Sequence, residues 1–374
     1  MNYAESRLER FFARWEFVTE HILCGSDVDP YPMKELLALA DEDCATRWDG
    51  LMLGYTETGG HPALREAMTG LYEKTPAEGI VVCGGGATEA LFLVTSVLLD
   101  PGAHVVVVAP AFEPLYRVAE ALGAEVTLVA LDADAGWTLD LDAVRRAIQP
   151  RTGIIAINFP HNPTGALLDH DTFLGLVALA EERGITLVSD EVYRFMEFDP
   201  VRRLPAAADV SAQAVSIGVM SKAYGLAGLR IGWVASADQD LLRRITAMKD
   251  YTSVCSSAPS EILALIALRN HASVVGRCKQ IVADNLAHAD EFFSKWKGVI
   301  EWVKPDGGTV GFPKLNAPMP VDQFVSELVQ QEGVLLLPGS FFGDWSNRFR
   351  VGLGRRTLPV ALERLDDFIS KRLV

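Results

Sequence analysis

Positive charge is what this sequence most lacks. Its 374 residues carry 34 lysines and arginines against 49 acids, a formal net charge of −15. Nucleic acid wants a basic face, so the balance argues against such a partner. No apolar run reaches the roughly eighteen residues that a membrane-spanning helix needs. The opening "MNYAESRLERFFARWEF" has neither the apolar stretch of a signal peptide nor an Arg/Ser-rich transit pattern, so a cytoplasmic protein is expected. Cysteine is scarce: Cys24, Cys44, Cys83, Cys255 and Cys278 are odd in number, scattered, and form no CxxC pair. Reduced thiols follow from that spacing, and no metal-ligand pattern is present. The chain also lacks internal repeats, low-complexity tracts, a Walker A loop and a GxGxxG fingerprint.

What is present is a repeating alternation. The composition is 49% hydrophobic, enough for a large core, and the length makes two domains the expectation. A β-branched run at 80–83 precedes a helical stretch at 87–99. "HVVVVAP" (104–110) is continuously apolar, as in a strand buried on both faces. Helical patterns at 113–122, 139–148 and 169–183 then alternate with "EVTLVAL" (125–131), "GIIAINFP" (153–160) and "TLVSDEVY" (186–193). "AVSIGVM" (214–220) and "RIGWVAS" (230–236) complete the set. This order predicts an α/β fold built on a mostly parallel sheet. Beyond about residue 238 helices dominate, mixed with short strands at "GVLLLPG" (333–339) and "FRVGL" (349–353). The expected layout is an N-terminal arm with part of a small domain (1–45), a large α/β domain (46–250) and a smaller α+β domain (251–374).

Open parallel sheets bind ligands beyond the carboxyl ends of their strands, and the unusual residues fall there. "GGGATEA" (84–90) is a glycine-rich turn opening a helix. It suits a phosphate, through free N–H groups and the helix dipole, although it equally serves as a plain tight connection. "NFPHNPTG" follows one strand, and Asp190 ends the next. "VMSKAYGLAGLRIGW" (219–233) sets Lys222 among small residues, with Arg230 eight positions on. Arg230 offers a bidentate grip on an anion. Lys222 becomes nucleophilic if buried near positive charge. A phosphate cradle, a lysine that attacks a carbonyl and a carboxylate for a ring nitrogen are what pyridoxal phosphate requires.

The chain resembles the fold-type I pyridoxal-phosphate enzymes, specifically the class I/II aminotransferases, over nearly its whole length. The matching stretches, in the family's order and spacing, are "GYTETGGHPALREAM", "GGGATEAL", "PAFEPLY", "NFPHNPTG", "SDEVYR", "SKAYGLAGLRIGW" and "FRVGLG". "KDYTSVCSS" and "DGGTVGFPK" are most similar to the capreomycidine synthase-like branch, which cyclises hydroxyarginine. The resemblance implies a large domain with a mostly parallel sheet, a smaller α+β domain, and a homodimer with shared active sites. It implies that Lys222 forms a Schiff base with the cofactor and shuttles the substrate α-proton. Asp190 would pair with the pyridine nitrogen, Tyr193 and Asn162 with the ring 3-oxygen, and Phe112 would stack on the ring. Gly86, Ala87, Thr88, Ser221 and Arg230 would hold the phosphate, joined by Tyr55 from the neighbouring subunit. Arg350 would bind the substrate α-carboxylate. Read without the family, Phe112 is a core residue, Tyr193 packs a strand end, Asn162 is a turn residue before Pro163, and Arg350 is half of a surface ion pair. His161 either touches the cofactor or packs. One departure stands out: Val219 occupies a position where the family usually carries a phosphate-binding serine or threonine.

The expected reaction is transamination of an L-amino acid with a 2-oxo acid. The alternatives are a cyclase or dehydratase of hydroxyarginine and, from another class, a non-catalytic regulator on the same fold. No arginine lies at 250–261 to receive the distal carboxylate of a dicarboxylic substrate. Asp27 and Asp29, in an arm expected to line the pocket, suit a cationic side chain or else cap the helix near Pro32.

Overall fold

The computed structural model describes residues 3–373. After the two-residue strand β1 (His21–Ile22), the chain lays down β2 (Ile80–Cys83), β3 (His104–Ala109), β4 (Glu125–Ala130), β5 (Thr152–Asn158), β6 (Thr186–Asp190), β7 (Ala214–Val219) and β8 (Gly232–Ala235). These seven, β2 to β8, form one sheet in the order β2-β8-β7-β6-β5-β3-β4. Neighbours from β4 to β7 are parallel, while β8 runs antiparallel to both β2 and β7. The reversal follows from the connection. Between β7 and β8, residues 220–231 contain no α-helix, just the 3-10 turn Ala227–Leu229, and a parallel return usually runs through a helical crossover.

Burial explains the sequence pattern. Every residue of β3 and of β7 is buried, which is why they read as unbroken apolar runs. β4 lies at the sheet edge and is largely accessible. Side chains alternate across the sheet, so Val106 and Val108 join the core on one face and Val105 and Val107 the core on the other. The helices between strands start where short polar residues can cap them. Asp169 accepts from the Thr172 N–H at 2.8 Å and opens helix His170–Arg183.

The remaining elements are helical with short strands. Helices Gln239–Lys249, Ala258–Arg269 and His271–Lys295 precede β9 (Ile300–Glu301), β10 (Val310–Gly311), β11 (Lys314–Leu315), β12 (Val334–Leu335), β13 (Leu337–Pro338) and β14 (Phe349–Gly352). The stretch 333–339, which reads as one strand, is two. β12 pairs with β1 and β13 pairs with β14, with buried Leu336 between them. The pairing of β1 with β12 ties the N-terminal arm to the C-terminal part. The arm then runs on beside β14, where Gly352 N–H donates to Leu23 O at 2.8 Å. Among the described residues no helix is long and apolar enough to cross a membrane.

Candidate active site

The carboxyl ends of β5, β6 and β7 meet the Gly84–Gly86 turn and the N-terminal arm around a cavity of about 380 Å³. Of the residues singled out in the sequence, Ala87, Thr88, Phe112, Asn162, Asp190, Tyr193, Ser221, Lys222, Arg230, Arg350 and Asp27 all line it, as does Val219. Gly86 stands directly behind it as the N-cap of helix Ala87–Leu98. Tyr55 is not brought to this cavity; it is 93% exposed and lines a separate surface hollow.

One end of the cavity is built for an anion. Gly86 has φ +76° and provides no side-chain cap, which leaves the first N–H groups of a twelve-residue helix to a ligand. The guanidinium of Arg230 lies over this turn, Nη2 donating to Gly85 O at 2.8 Å. The start of β8 is packed so closely here that a Cβ on Gly232 would lie 2.7 Å from Ala87 N. Only glycine permits that approach. Val219, in the place of a hydroxyl residue, packs with Val192, Tyr193 and Ala87 and offers no donor.

Another part of the wall carries a buried acid. Asp190 ends β6 and is 3% exposed. Its carboxylate accepts the Val192 N–H at 3.2 Å. Burial pushes its pKa up to about 7, opposed by that hydrogen bond and by the charge of Lys222. Such a carboxyl calls for a cation beside it. Asn158, which the sequence did not mark, fastens this corner: its Nδ2 donates to Asp190 O at 2.9 Å and its Oδ1 accepts from Asn162 N–H at 2.9 Å.

Arg350, on β14, is 2% exposed. Its Nε donates to Cys24 O at 3.1 Å and its Nη1 to Asn162 Oδ1 at 3.2 Å. No carboxylate pairs with it among the described residues, and burial lowers its pKa. It is therefore a core guanidinium in want of an anion, not half of a surface ion pair. His161 packs: its Nδ1 bonds Thr164 Oγ1 at 2.9 Å, burial lowers its pKa to about 3, and it is absent from the cavity wall.

The N-terminal arm contributes more than the sequence suggested. Helix Arg7–Trp15 and the residue after it place Glu9, Phe12 and Glu16 on the cavity wall. Their spacing of three and four puts them on one helix face, a signal visible in "LERFFARWEF". Glu9 and Glu16 have no ion pair or side-chain hydrogen bond among the described residues. Burial raises the pKa of Glu16, and Asp27 raises it further. Asp27 is already engaged, since Arg355 Nη2 donates to both its oxygens at 2.8 and 3.0 Å. Asp29 accepts from Arg356 N–H at 2.9 Å and does not line the cavity. Ser26, also unmarked, accepts from Lys222 Nζ at 2.8 Å. Tyr193 donates its hydroxyl proton to Ser26 O at 2.8 Å.

This donor set fits a phosphorylated pyridine aldehyde. It offers a helix N-terminus and an arginine for the phosphate, a buried carboxyl of raised pKa for a ring nitrogen, and a lysine amine in the same cavity. The family model for aminotransferase class I and II matches residues 35–365. The chain belongs to that family. It is similar to capreomycidine synthase from Streptomyces vinaceus, 31% identical over 92% of this chain and 88% of that protein. Among solved structures it resembles a PLP-dependent aminotransferase from Streptococcus suis, with a TM-score of 0.93 at 32% identity over 99% of both chains. It also resembles the PLP-dependent cyclase OrfR, with a TM-score of 0.90 at 26% identity over 100% of this chain and 98% of the other. The fold is that of the fold-type I enzymes, and the protein is an enzyme of the aminotransferase kind.

Proposed function

We propose that this enzyme uses pyridoxal phosphate to transaminate an L-amino acid, with Lys222, Asp190 and Arg350 as its working residues. Bound in the cavity, the cofactor supplies an electron-withdrawing ring and a carbon to which lysine and substrate nitrogen attach in turn. Arg230 and the N–H groups of Ala87 and Thr88 hold the phosphate. Ser221 lines the same cavity and joins them. Asp190 keeps the ring nitrogen protonated. Phe112 stands by the ring, and Asn162, its Oδ1 taken by Arg350, has Nδ2 free for the ring 3-oxygen. Lys222 Nζ moves the α-proton. The observation that carries the reading is Arg350. A buried guanidinium without an acid partner is costly to keep, and it sits in the same cavity as the lysine. The α-carboxylate common to all amino acids supplies that partner.

The cationic-substrate reading is supported by charge. Arg230 is assigned to phosphate, Asp190 to the ring, Arg350 to the α-carboxylate and Asp27 to Arg355. Glu9 and Glu16 remain, and they suit a guanidinium or ammonium side chain. The likeness to capreomycidine synthase favours the same substrate class and, with it, cyclisation of hydroxyarginine as the second reading. The test is kcat/KM for arginine, hydroxyarginine, glutamate, alanine and phenylalanine, with mass analysis of products. Arginine or hydroxyarginine should lead, and Glu16→Gln should weaken these alone by about tenfold. A leading glutamate, or a Glu16→Gln change equal for all substrates, refutes the cationic reading. A 2-oxo acid product means transamination; a cyclic product means the second reading.

A cytoplasmic homodimer belongs to the same proposal. Met52, Leu53, Tyr55 and Tyr251 are all more than four-fifths exposed, an apolar set that a second copy would cover and that would carry Tyr55 to the neighbour's phosphate. So does the partition 1–45, 46–250 and 251–374, whose middle segment contains the whole seven-stranded sheet.

A further inference from the structure

Three hydrogen bonds converge on Ser26. Lys222 Nζ donates to its hydroxyl at 2.8 Å. Tyr193 and Thr309 hydroxyls both donate to its carbonyl, each at 2.8 Å, which uses both lone pairs of that oxygen. The backbone on either side is held. Asp29 N–H donates to Gly354 O at 2.9 Å, and Cys24 O accepts from Arg350. A Cβ on Gly352 would lie 2.0 Å from Gly25 O, and one on Gly354 would lie 2.0 Å from Asp27 O. The strand that carries Arg350 and the residues just after it therefore pack closely against the backbone flanking Ser26, and the Ser26 hydroxyl projects from a well-held segment.

We propose that Ser26 is a positioning residue for Lys222, holding its amine in place whenever that nitrogen is not bonded to cofactor carbon. The proposal rests on Lys222 being the cofactor-bearing lysine. Lysine nitrogen sits on a flexible four-carbon stem, and a proton moves between groups only within about 3 Å of each other. A free lysine that wanders loses that geometry. A hydroxyl suits the task because it both donates and accepts. It accepts from the ammonium and from the neutral amine, and it can donate to the amine's lone pair. A carboxylate at the same point would favour the charged form alone. The other charged groups on the cavity wall are Asp190, Glu9, Glu16, Asp27, Arg230 and Arg350, and none of them has a hydrogen bond to Nζ among the described residues.

The test compares wild type with Ser26→Ala and Ser26→Thr. In cofactor-free protein, peptide mapping follows the labelling of Lys222 by trinitrobenzenesulfonate. Released from its anchor, Lys222 in Ser26→Ala should label several-fold faster, while Ser26→Thr, which keeps the hydroxyl, labels at the wild-type rate. In the loaded enzyme, Ser26→Ala should lower kcat about tenfold with KM within twofold, and deuterium at the substrate α-carbon should slow it more than wild type. Ser26→Thr should regain most of the rate. Wild-type labelling and turnover in Ser26→Ala overturn the proposal, and so do equal losses in both variants, which mark packing alone. Borohydride reduction of the loaded wild type separates this from the underlying reading. Cofactor fixed to another lysine defeats the role of Lys222 itself. Cofactor fixed to Lys222, with Ser26→Ala behaving as wild type, defeats only the role of Ser26.

Discussion

Replacing Asp190 with asparagine should flatten the pH dependence of the cofactor-free protein. The carboxyl is buried, and its pKa in the folded chain stands at about 7, against about 3.9 in an unfolded one. Folding therefore favours the protonated form. Its contribution is fully present below about pH 4 and is lost as pH rises through 7. A shift of about three units at 1.36 kcal/mol each is on the order of 4 kcal/mol. Glu261 works in the same direction, its pKa raised to about 7 by burial. His161 works in the other, losing stability only at low pH. The difference between wild type and Asp190→Asn removes both contributions. Urea midpoints of the cofactor-free proteins at pH 5 and pH 8 measure it. Part of the contribution is already lost at pH 5, so over this window wild type should lose roughly 2–3 kcal/mol more than the variant, about two units at 1.36 kcal/mol each. With pyridoxal phosphate bound, a protonated ring nitrogen beside Asp190 should abolish that excess. The variant should also turn over at least a hundredfold more slowly, since removing one partner of a buried pair costs about 3–5 kcal/mol. Parallel pH profiles for the two cofactor-free proteins would refute the account of a carboxyl held protonated by burial.

Arg350→Ala should raise KM for every amino acid by about a hundredfold, in line with loss of a buried charged hydrogen-bond partner, and leave cofactor absorbance unchanged. A rise confined to some substrates would place Arg350 on the side chain instead of the α-carboxylate. Sedimentation at micromolar concentration should give a dimer, and Tyr55→Asp should yield monomers with weakened cofactor retention; a fully active wild-type monomer would remove Tyr55 from the site.

The chemistry of the site was legible in the sequence because strand ends, glycine turns and the residues that follow them are local signals. Asp190, Lys222, Arg230 and the turn at 84–90 carry such signals, Ala87 and Asn162 are implied by the family resemblance, and the structure sets these residues around one cavity. Partners distant in sequence were not legible. Asp27 reads as a free carboxylate until Arg355 is found against it, and nothing in either stretch announces the pair. Tyr193 donates to the Ser26 carbonyl, a group that no side-chain pattern displays. The strand at 333–339 reads as one because a strand's partner is set by tertiary pairing, which buried Leu335, Leu336 and Leu337 do not encode. The N-terminal helix face of Glu9, Phe12 and Glu16 was present in the pattern, but its meaning depends on which cavity it covers.

The reversed strand β8 has a consequence for synthesis. β2 is the first strand of the large sheet to be made, and its sheet neighbour is β8, Cys83 pairing with Gly232. Until residue 235 has left the ribosome, the edge of Ile80–Cys83 that β8 covers stays open. Pairings this far apart in sequence form slowly, and an unpaired edge recruits other chains. The phosphate turn is completed by the same late event, because Arg230 and Gly232 arrive with β8. The nascent chain therefore gains its cofactor grip and loses its stickiest edge in one step, and fragments that stop short of Trp233 should aggregate without ever turning yellow.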